Sequence, residues 1–236
     1  MHLQRSWLDR SLWPSLALFG AMLAVFQFTP ADLLIQDRLF DFRTGRWLVD
    51  RNAWGPTFLF HKLPKYLIIG FAVLLLLKAH AAGRWKRFSR LKPVPWRRAW
   101  VVLGCLALTP VSVSIGKQFT NVFCPWDVER YGGPQPYVRI MSAYDPAHPP
   151  SDCGKCWPAG HASAGFALAA LASLAVTSRG RLYGTLTGLL TGGVMGIYQM
   201  MKGAHYTSDT LATLFLAWII HLLLRRALKP DTPALK

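Results

Sequence analysis

CWPAGHASAG, at Cys156–Gly165, is the stretch around which this chain is organised, and HYTSD, at His205–Asp209, is its partner. Each stretch places a histidine where a polar loop enters an apolar helix, so the imidazole is within reach of water and still anchored on a rigid element. His205 and Asp209 are four residues apart, and side chains at that spacing share one face of a helix. A carboxylate there can orient the imidazole and stabilise its positive charge. We therefore expect His161 and His205 to meet in one site.

The composition is that of a membrane protein. The chain has 236 residues, of which 52% are hydrophobic and 16% are charged, whereas soluble domains carry roughly 25% charged residues. The net charge of +16 is also typical of nucleic-acid-binding proteins, but no recognition motif is present. The basic residues stand between apolar blocks, where they determine topology and contact anionic lipid head groups. We therefore expect membrane lipids, and no nucleic acid, as partners.

Six apolar blocks predict one all-α, six-span membrane domain with a helical-bundle site, covering residues 1–236. A transmembrane helix needs about 20 apolar residues. The blocks are about 12–28, 57–77, 99–115, 159–177, 182–201 and 206–224. The first block resembles a signal peptide, but it is long and no clear cleavage site follows, so we expect a retained span. Glycines at four-residue steps, from Gly184 to Gly196, favour close approach of a neighbouring helix.

The distribution of charge predicts which side each loop faces. Lys and Arg mark cytoplasmic loops, and the N-terminus, the 78–98 loop, the 179–181 turn and the C-terminal tail are all basic. Eight of the eleven acids lie in the two other loops, 29–56 and 116–158. The two histidines fall on that same side, which in a bacterium is the periplasm. We expect a multi-pass protein of the bacterial inner membrane whose site faces the periplasm.

Three of the four cysteines, Cys124, Cys153 and Cys156, share the 116–158 loop. Because the periplasm is oxidising, cysteines there tend to pair. A bond between Cys124 and Cys156 is the first expectation, because it would tie the two ends of the loop beside the site; Cys124 with Cys153 is the second, and Cys153 with Cys156 would constrain little. A zinc site is the weaker alternative, since the spacing fits no finger or ribbon pattern, and we expect no metal.

With these stretches the sequence resembles the type 2 phosphatidic acid phosphatase superfamily, the membrane-bound lipid phosphate phosphatases. The three motifs of that family are Lys-x6-Arg-Pro, Pro-Ser-Gly-His and Ser-Arg-x5-His-x3-Asp. They appear here as Lys117-x6-Cys124-Pro125, Pro158-Ala159-Gly160-His161 and Tyr198-Gln199-x5-His205-x3-Asp209. Their order, spacing and placement at span ends fit, from Lys117 to the last span, but both motif arginines are replaced.

The resemblance implies a phosphatase that works through a phosphohistidine and needs no cofactor. His205 would attack phosphorus with Asp209 behind it, and His161 would act as general acid and then as base for water. Lys117 would neutralise the phosphoryl oxygens. The backbone N–H groups near Ala159 and Gly160, at a helix N-terminus, would favour an anion.

The loss of both arginines requires a replacement, because phosphoryl transfer depends on charge stabilisation and a guanidinium binds phosphate through two hydrogen bonds. Lys202, three residues before His205, is the first candidate. Arg130 and Arg139 follow, and Gln199 can donate one hydrogen bond. At the first motif, Cys124 would have changed from a phosphate-binding position to a disulfide anchor.

A site at the span ends predicts a lipid substrate whose phosphate lies at the level of the outer head groups. Undecaprenyl pyrophosphate, phosphatidylglycerol phosphate, phosphatidic acid and lipid A phosphate all fit that description. Two alternatives use the same residues: a phosphotransferase that passes the phosphate to another lipid, and a non-catalytic binding or scaffold protein built on a degraded phosphatase. The sequence does not predict the oligomeric state.

Overall fold

The computed structural model describes residues 2–84 and 95–230, with side chains for residues 11–80 and 95–230. The basic residues at positions 85–94, on which part of the charge argument depends, lie outside the described residues. In chain order the helices are α1 (His2–Phe28), α2 (Ala31–Gln36), α3 (Trp54–Thr57), α4 (Leu63–Arg84), α5 (Trp96–Phe119), α6 (Ser163–Ala167), α7 (Ser178–Met201) and α8 (Thr207–Leu228).

Shorter pieces complete the architecture. A π-helical turn, Phe58–Lys62, joins α3 to α4, and a 3-10 helix, Leu168–Ser173, continues α6. Three further 3-10 turns lie at Asp37–Leu39, Pro125–Asp127 and Glu129–Tyr131. The strands β1 (Phe40–Asp41) and β2 (Arg46–Trp47) form a small antiparallel hairpin in which Phe40 faces Trp47. Over residues 2–84 and 95–230 the protein is thus all-α apart from one hairpin.

Four helical segments in the described part of the chain are long and apolar enough to cross a membrane. They are Ser11–Phe28, Trp54–His80, Trp96–Phe119 and Thr207–Leu228, and they match the first, second, third and sixth predicted blocks. The chain is therefore an all-α polytopic membrane protein. The fifth block corresponds to α7, in which glycine and threonine dilute the apolar residues, and six crossings remain a prediction.

The fourth block is shorter than expected. It was predicted to be a full span over 159–177, but the helix covers only Ser163–Ser173. At its start the backbone N–H of Ala159 donates to the carbonyl of Asp209 over 3.0 Å, which holds the preceding loop outside the helix. At its end Thr177 already caps α7, because its hydroxyl accepts from the N–H of Gly180.

Helix α8 lies at the centre of the bundle. Ala212 packs with Met22 and Phe26 of α1, and Ala217 packs with Phe166 of α6. Small residues at these positions let the neighbouring helices approach closely. The rest of the bundle is thus arranged around the helix that begins just after His205.

The glycine pattern of α7 is a packing device. A Cβ atom added at Gly188 would collide with the backbone of Ala169, and one added at Gly184 would collide with that of Ala172. Gly192 faces Gly165, and a Cβ atom added at Gly165 would lie 2.7 Å from the Cα of Gly192. Helix α7 therefore packs directly against α6 and its 3-10 continuation, and the prediction of close helix packing is confirmed.

The two long polar segments fold together over one end of the bundle, and we call residues 37–53 and 120–158 the loop cap. Its core contains Phe40, Phe123, Val128 and Tyr131. Asp37 joins the two segments, because it accepts hydrogen bonds of 2.8 and 2.7 Å from Arg130 and one of 2.9 Å from the Tyr131 hydroxyl. Hydrogen bonding to Arg130 accordingly lowers the pKa of Asp37.

Candidate active site

Two imidazoles meet where the bundle touches the loop cap. Nδ1 of His161 lies 3.1 Å from Nε2 of His205, and their ring centroids are 5.3 Å apart. His161 stands just before α6 and His205 just before α8. The two histidines therefore converge, as their positions at helix entrances predict.

Asp209 lies behind His205 and organises the start of α8. Its Oδ2 lies 3.0 Å from Nδ1 of His205 and accepts a 3.0 Å hydrogen bond from the N–H of Tyr206, the residue that caps the helix. The side chain of Asp209 is fully buried, and that of His205 is 2% exposed. One carboxylate oxygen thus fixes both the helix start and the plane of the imidazole.

The contacts determine how the protons are arranged on the two neutral rings. A neutral imidazole carries one N–H and one acceptor nitrogen. Because Nδ1 of His205 faces a carboxylate, the proton of His205 belongs on Nδ1 and leaves a lone pair on Nε2. Nδ1 of His161 then donates to that lone pair. The nitrogen of His205 that is free to act as a nucleophile is therefore the one that points at His161.

Burial keeps both rings neutral. Burial lowers the pKa of His205, and the positive charges of Lys117 and Lys202 add to the effect. The pKa of His161 is lowered by burial, by the neighbouring His205 and His61, and by the same two lysines. An anion bound beside the rings would act in the opposite direction, since a nearby opposite charge favours the charged imidazole.

Lys117, in the last turn of α5, is tied to the second motif. Its ammonium donates to the carbonyls of Lys155 over 2.7 Å and of Cys156 over 3.0 Å. An ammonium group has three donors, so one N–H remains for a further acceptor. A Cβ atom added at Gly160 would lie 3.5 Å from Cε of Lys117, and the charge of Lys117 acts on both histidines.

The second and third motifs are joined through their backbones. The hydroxyl of Thr213, one turn into α8, donates to the carbonyl of Ala159 over 2.8 Å, while the N–H of Ala159 donates to the carbonyl of Asp209. Ala159 is completely buried. The loop that carries His161 is therefore held directly against the helix that carries Asp209.

Cys124 is joined to Cys156 by a disulfide, which is the first of the pairings expected from the sequence, and Cys153 is free. Sγ of Cys156 lies 3.4 Å from Nδ1 of His205, so the disulfide packs on the imidazole. In the described part of the chain, Cys124, Cys156 and His205 place three potential metal ligands within 4.8 Å of one another. Because metals bind thiolates and these sulfurs are bonded to each other, the group does not fit a metal site in this form.

Of the four candidates for the missing arginines, the structure brings one cation to the histidines. Lys202 is 7% exposed, and its charge acts on both His161 and His205. Gln199 is 1% exposed, and neither its Oε1 nor its Nε2 has a hydrogen-bond partner in the described part of the chain. A buried amide without partners is costly, so Gln199 is suited to bind an added polar group.

The two loop arginines have other neighbours. Arg130 is bound to Asp37 within the loop cap. Arg139 lines a small cavity with Asp32, Tyr137 and Tyr206. The pairing of Arg130 with Asp37 corrects the expectation that Arg130 replaces a motif arginine. The same expectation for Arg139 stays a prediction.

Sequence reasoning missed the residues that hold the His205 loop from outside. Asp32 Oδ1 accepts a 2.9 Å hydrogen bond from the N–H of Ser208, and Gln36 Nε2 donates to the carbonyl of Met200 over 2.8 Å. Both side chains are buried. Gly203, with φ +75°, leaves room for the ring of Trp47. No spacing in the sequence connects these residues to the motif, since they lie more than 150 positions before it.

A third imidazole was also missed. The ring of His61, in the π-helical turn, lies edge to face on that of His161, with the centroids 4.6 Å apart. The only signal available in the sequence was a histidine beside lysines at the start of an apolar block.

Asp32 provides a test of how the His205 loop is held. Burial raises the pKa of Asp32 from 3.8 to about 7, and the charge of Asp209 adds to the shift. The fold thus favours the protonated form of Asp32. Its contribution to the free energy of unfolding is complete below about pH 4 and is lost as the pH rises through about 7. We expect the thermal stability of the wild type in detergent to fall with rising pH relative to the Asp32→Asn variant, which cannot ionise. A wild type that instead gains stability with pH relative to the variant would contradict this.

Comparison with known proteins agrees with this geometry. The family model of the PAP2 superfamily matches residues 98–232. No curated protein and no solved structure matches the chain significantly. The match takes in α5 to α8 and all three motifs, and it covers more than half of the 236 residues. The chain therefore belongs to the PAP2 superfamily, whose members are phosphatases.

Proposed function

We propose that this protein is an integral membrane lipid phosphatase that removes a phosphate, from a monoester or a pyrophosphate, through a phosphohistidine on His205. The observation that carries the proposal is the line of contacts from Asp209 to His205 and from His205 to His161, each about 3 Å long. An orienting carboxylate, a nucleophile and an acid–base group in contact are the parts that covalent phosphoryl transfer needs.

In the first step Nε2 of His205 attacks phosphorus while the bond to the leaving oxygen breaks. The bound anionic substrate favours the charged form of His161, and this protonated His161 donates its proton to the leaving oxygen while Asp209 stabilises the positive charge on His205. In the second step neutral His161 takes a proton from water, whose oxygen attacks phosphorus and breaks the P–N bond. His161 is then protonated again, the nucleophile is restored and inorganic phosphate leaves.

Positive charge is supplied from two sides of the histidines. Lys117 has one N–H left for a phosphoryl oxygen beside Gly160, and Lys202 is a buried cation to which no carboxylate is paired in the described part of the chain. Such a charge is costly without a counter-ion. A phosphoryl group would provide one, and the amide of Gln199 would add a hydrogen bond.

The site lies at the ends of membrane helices, which favours a substrate held in the bilayer with its phosphate at the level of the head groups. The four lipid classes named above share that chemistry. The N-terminus, the 78–98 loop, the 179–181 turn and the C-terminal tail carry the basic clusters on the other side of the predicted spans, which supports a periplasmic site of a bacterial inner-membrane protein.

The phosphohistidine route predicts how variants and inhibitors change phosphate release. We expect the purified protein to release phosphate from a lipid phosphate, and His205→Ala to lower kcat by at least about a thousandfold. In His161→Ala, a substrate with a good leaving group should leave an acid-labile, alkali-stable phosphate label on His205. We also expect inhibition by vanadate and resistance to EDTA. Undiminished turnover in His205→Ala would refute the route, and no release from any lipid would favour the scaffold alternative.

The replacement of the arginines can be tested with two matched cations. Lys202→Ala removes a buried cation beside the histidines and should lower kcat/KM by about tenfold or more. Arg130→Ala removes a cation bound to Asp37 and should leave kcat/KM within about twofold of the wild type. Equal effects of the two variants, or full turnover in Lys202→Ala, would contradict the proposal that Lys202 binds the phosphoryl group.

Orientation can be tested without engineering a probe. Cys153 is a free, exposed cysteine in the loop cap, whereas Cys105 is buried. A membrane-impermeant maleimide should therefore label intact cells of a bacterial host, and Cys153→Ser should abolish the label. Labelling that requires permeabilised cells would place the loop cap in the cytoplasm.

A further inference from the structure

His61 lies beside the candidate acid–base group although no motif contains it. Its ring centroid is 4.6 Å from that of His161 in an edge-to-face contact. It belongs to the π-helical turn Phe58–Lys62, and π-turns inside α-helices are frequent at functional sites. The three imidazoles of His205, His161 and His61 thus form a continuous row.

The row runs from the interior toward solvent. His205 is 2% exposed, whereas His161 and His61 are both partly exposed. The disulfide and Asp209 cover the far side of His205. Both contacts are at Nδ1 of His205, so the Nε2 side, which faces His161, is the side left for a phosphate.

Tyr198 connects His61 to the third motif. Its hydroxyl is 2.8 Å from that of Thr57, and its ring packs on Phe60 with centroids 5.5 Å apart. The same ring lies 5.1 Å from Nζ of Lys202, a cation–π distance. Tyr198 occupies the serine position of the motif, next to the lost arginine. Tyr198, the residue at the substituted position, thus contacts both the segment that carries His61 and the side chain of Lys202.

The surroundings of His61 are positively charged. The charges of Lys202, Lys65 and Lys62 all act on it. Lys62 and Lys65 are exposed, and they lie at the opposite end of α4 from the basic 78–98 loop. Lysines at that end run against the usual bias of membrane proteins, and a cluster of like charge attracts an anion.

We propose that His61 is a further substrate-binding residue, which together with Lys202 contacts the phosphoryl oxygens on the open side of His161 and replaces the arginine of the third motif. This rests on the proposed phosphatase function for the identity of the anion. A bound anion favours the charged form of an imidazole; His61 protonated in this way and the ammonium of Lys202 would donate to separate oxygens, whereas one guanidinium would donate to two. A role of His61 limited to packing on His161 is the alternative that the test must separate.

The test measures binding of inorganic phosphate to the full-length protein in detergent, by the rise in thermal stability over a phosphate titration, alongside KM and kcat for a lipid phosphate. The variants are His61→Ala, His61→Gln and His61→Arg. The matched control is His148→Gln, which changes an exposed histidine of the loop cap that pairs with Asp145. Thermal stability without phosphate checks that each variant is folded.

We expect His61→Ala and His61→Gln to weaken phosphate binding by about tenfold or more, because a charged hydrogen-bond donor is lost, and to raise KM more than they lower kcat. His61→Arg should restore binding, since a guanidinium suits phosphate, and the control should match the wild type. Wild-type affinity in His61→Ala would overturn the proposal. Equal weakening in His61→Ala and His61→Arg would also overturn it, in favour of packing.

The same data separate this proposal from the phosphatase function. If the wild type hydrolyses lipid phosphate and His61→Ala has the same phosphate affinity, KM and kcat, the proposed role of His61 is wrong and the phosphatase function stands. If the wild type hydrolyses no lipid phosphate but binds phosphate, and His61→Ala weakens that binding, the phosphatase function is wrong and the anion site at His61 stands. A wild type that binds no phosphate overturns the role of His61.

Discussion

The carboxylate of Asp209 is the point on which the site depends. It binds the imidazole of His205 and caps α8 through Tyr206, while the carbonyl of the same residue accepts from Ala159 in the loop of His161. One buried residue thus contacts the start of the helix, the imidazole of His205 and the second motif. Burying a carboxylate is costly unless its oxygens are hydrogen-bonded, and in the described residues Oδ2 contacts both His205 and Tyr206 whereas Oδ1 has no partner. Stability and catalytic geometry therefore rest on the same hydrogen bonds.

The departures from the family pattern are coupled to each other. The cysteine at the first arginine position is bonded to Cys156 and lies against the imidazole of His205. Tyr198 at the serine position of the third motif contacts Lys202 and the helix of His61. The loss of a cationic donor would leave phosphate under-neutralised, and under our proposal Lys202, which contacts Tyr198, and His61, whose neighbour Phe60 packs on Tyr198, supply the missing charge. We infer a redistribution of charge and not a simple decay of the site.

Periodicity and spacing predicted what is local in the chain. The apolar blocks, the face shared by His205 and Asp209, and the packing role of the glycines around Gly188 all follow from helix geometry. The failures depend on distant partners. The fourth helix is short because the loop before it is bound to α8. Arg130 is lost to the site because Asp37, which is 93 residues away, binds it. Only the folded loop cap brings such pairs together.

The segment that supports the loop of His205 lies outside the part of the chain that matches the family. The match begins at residue 98, whereas Asp32 and Gln36 bind the two ends of the His205 loop and the ring of Trp47 fills the space beside Gly203. A loop flanked by helices on both sides still has to be fixed to within about 0.5 Å for catalysis, and hydrogen bonds from a separate element do so without disturbing the motif. The motifs therefore carry the residues that we propose react, while amino-terminal segments outside the family match hold the loop of His205 in place.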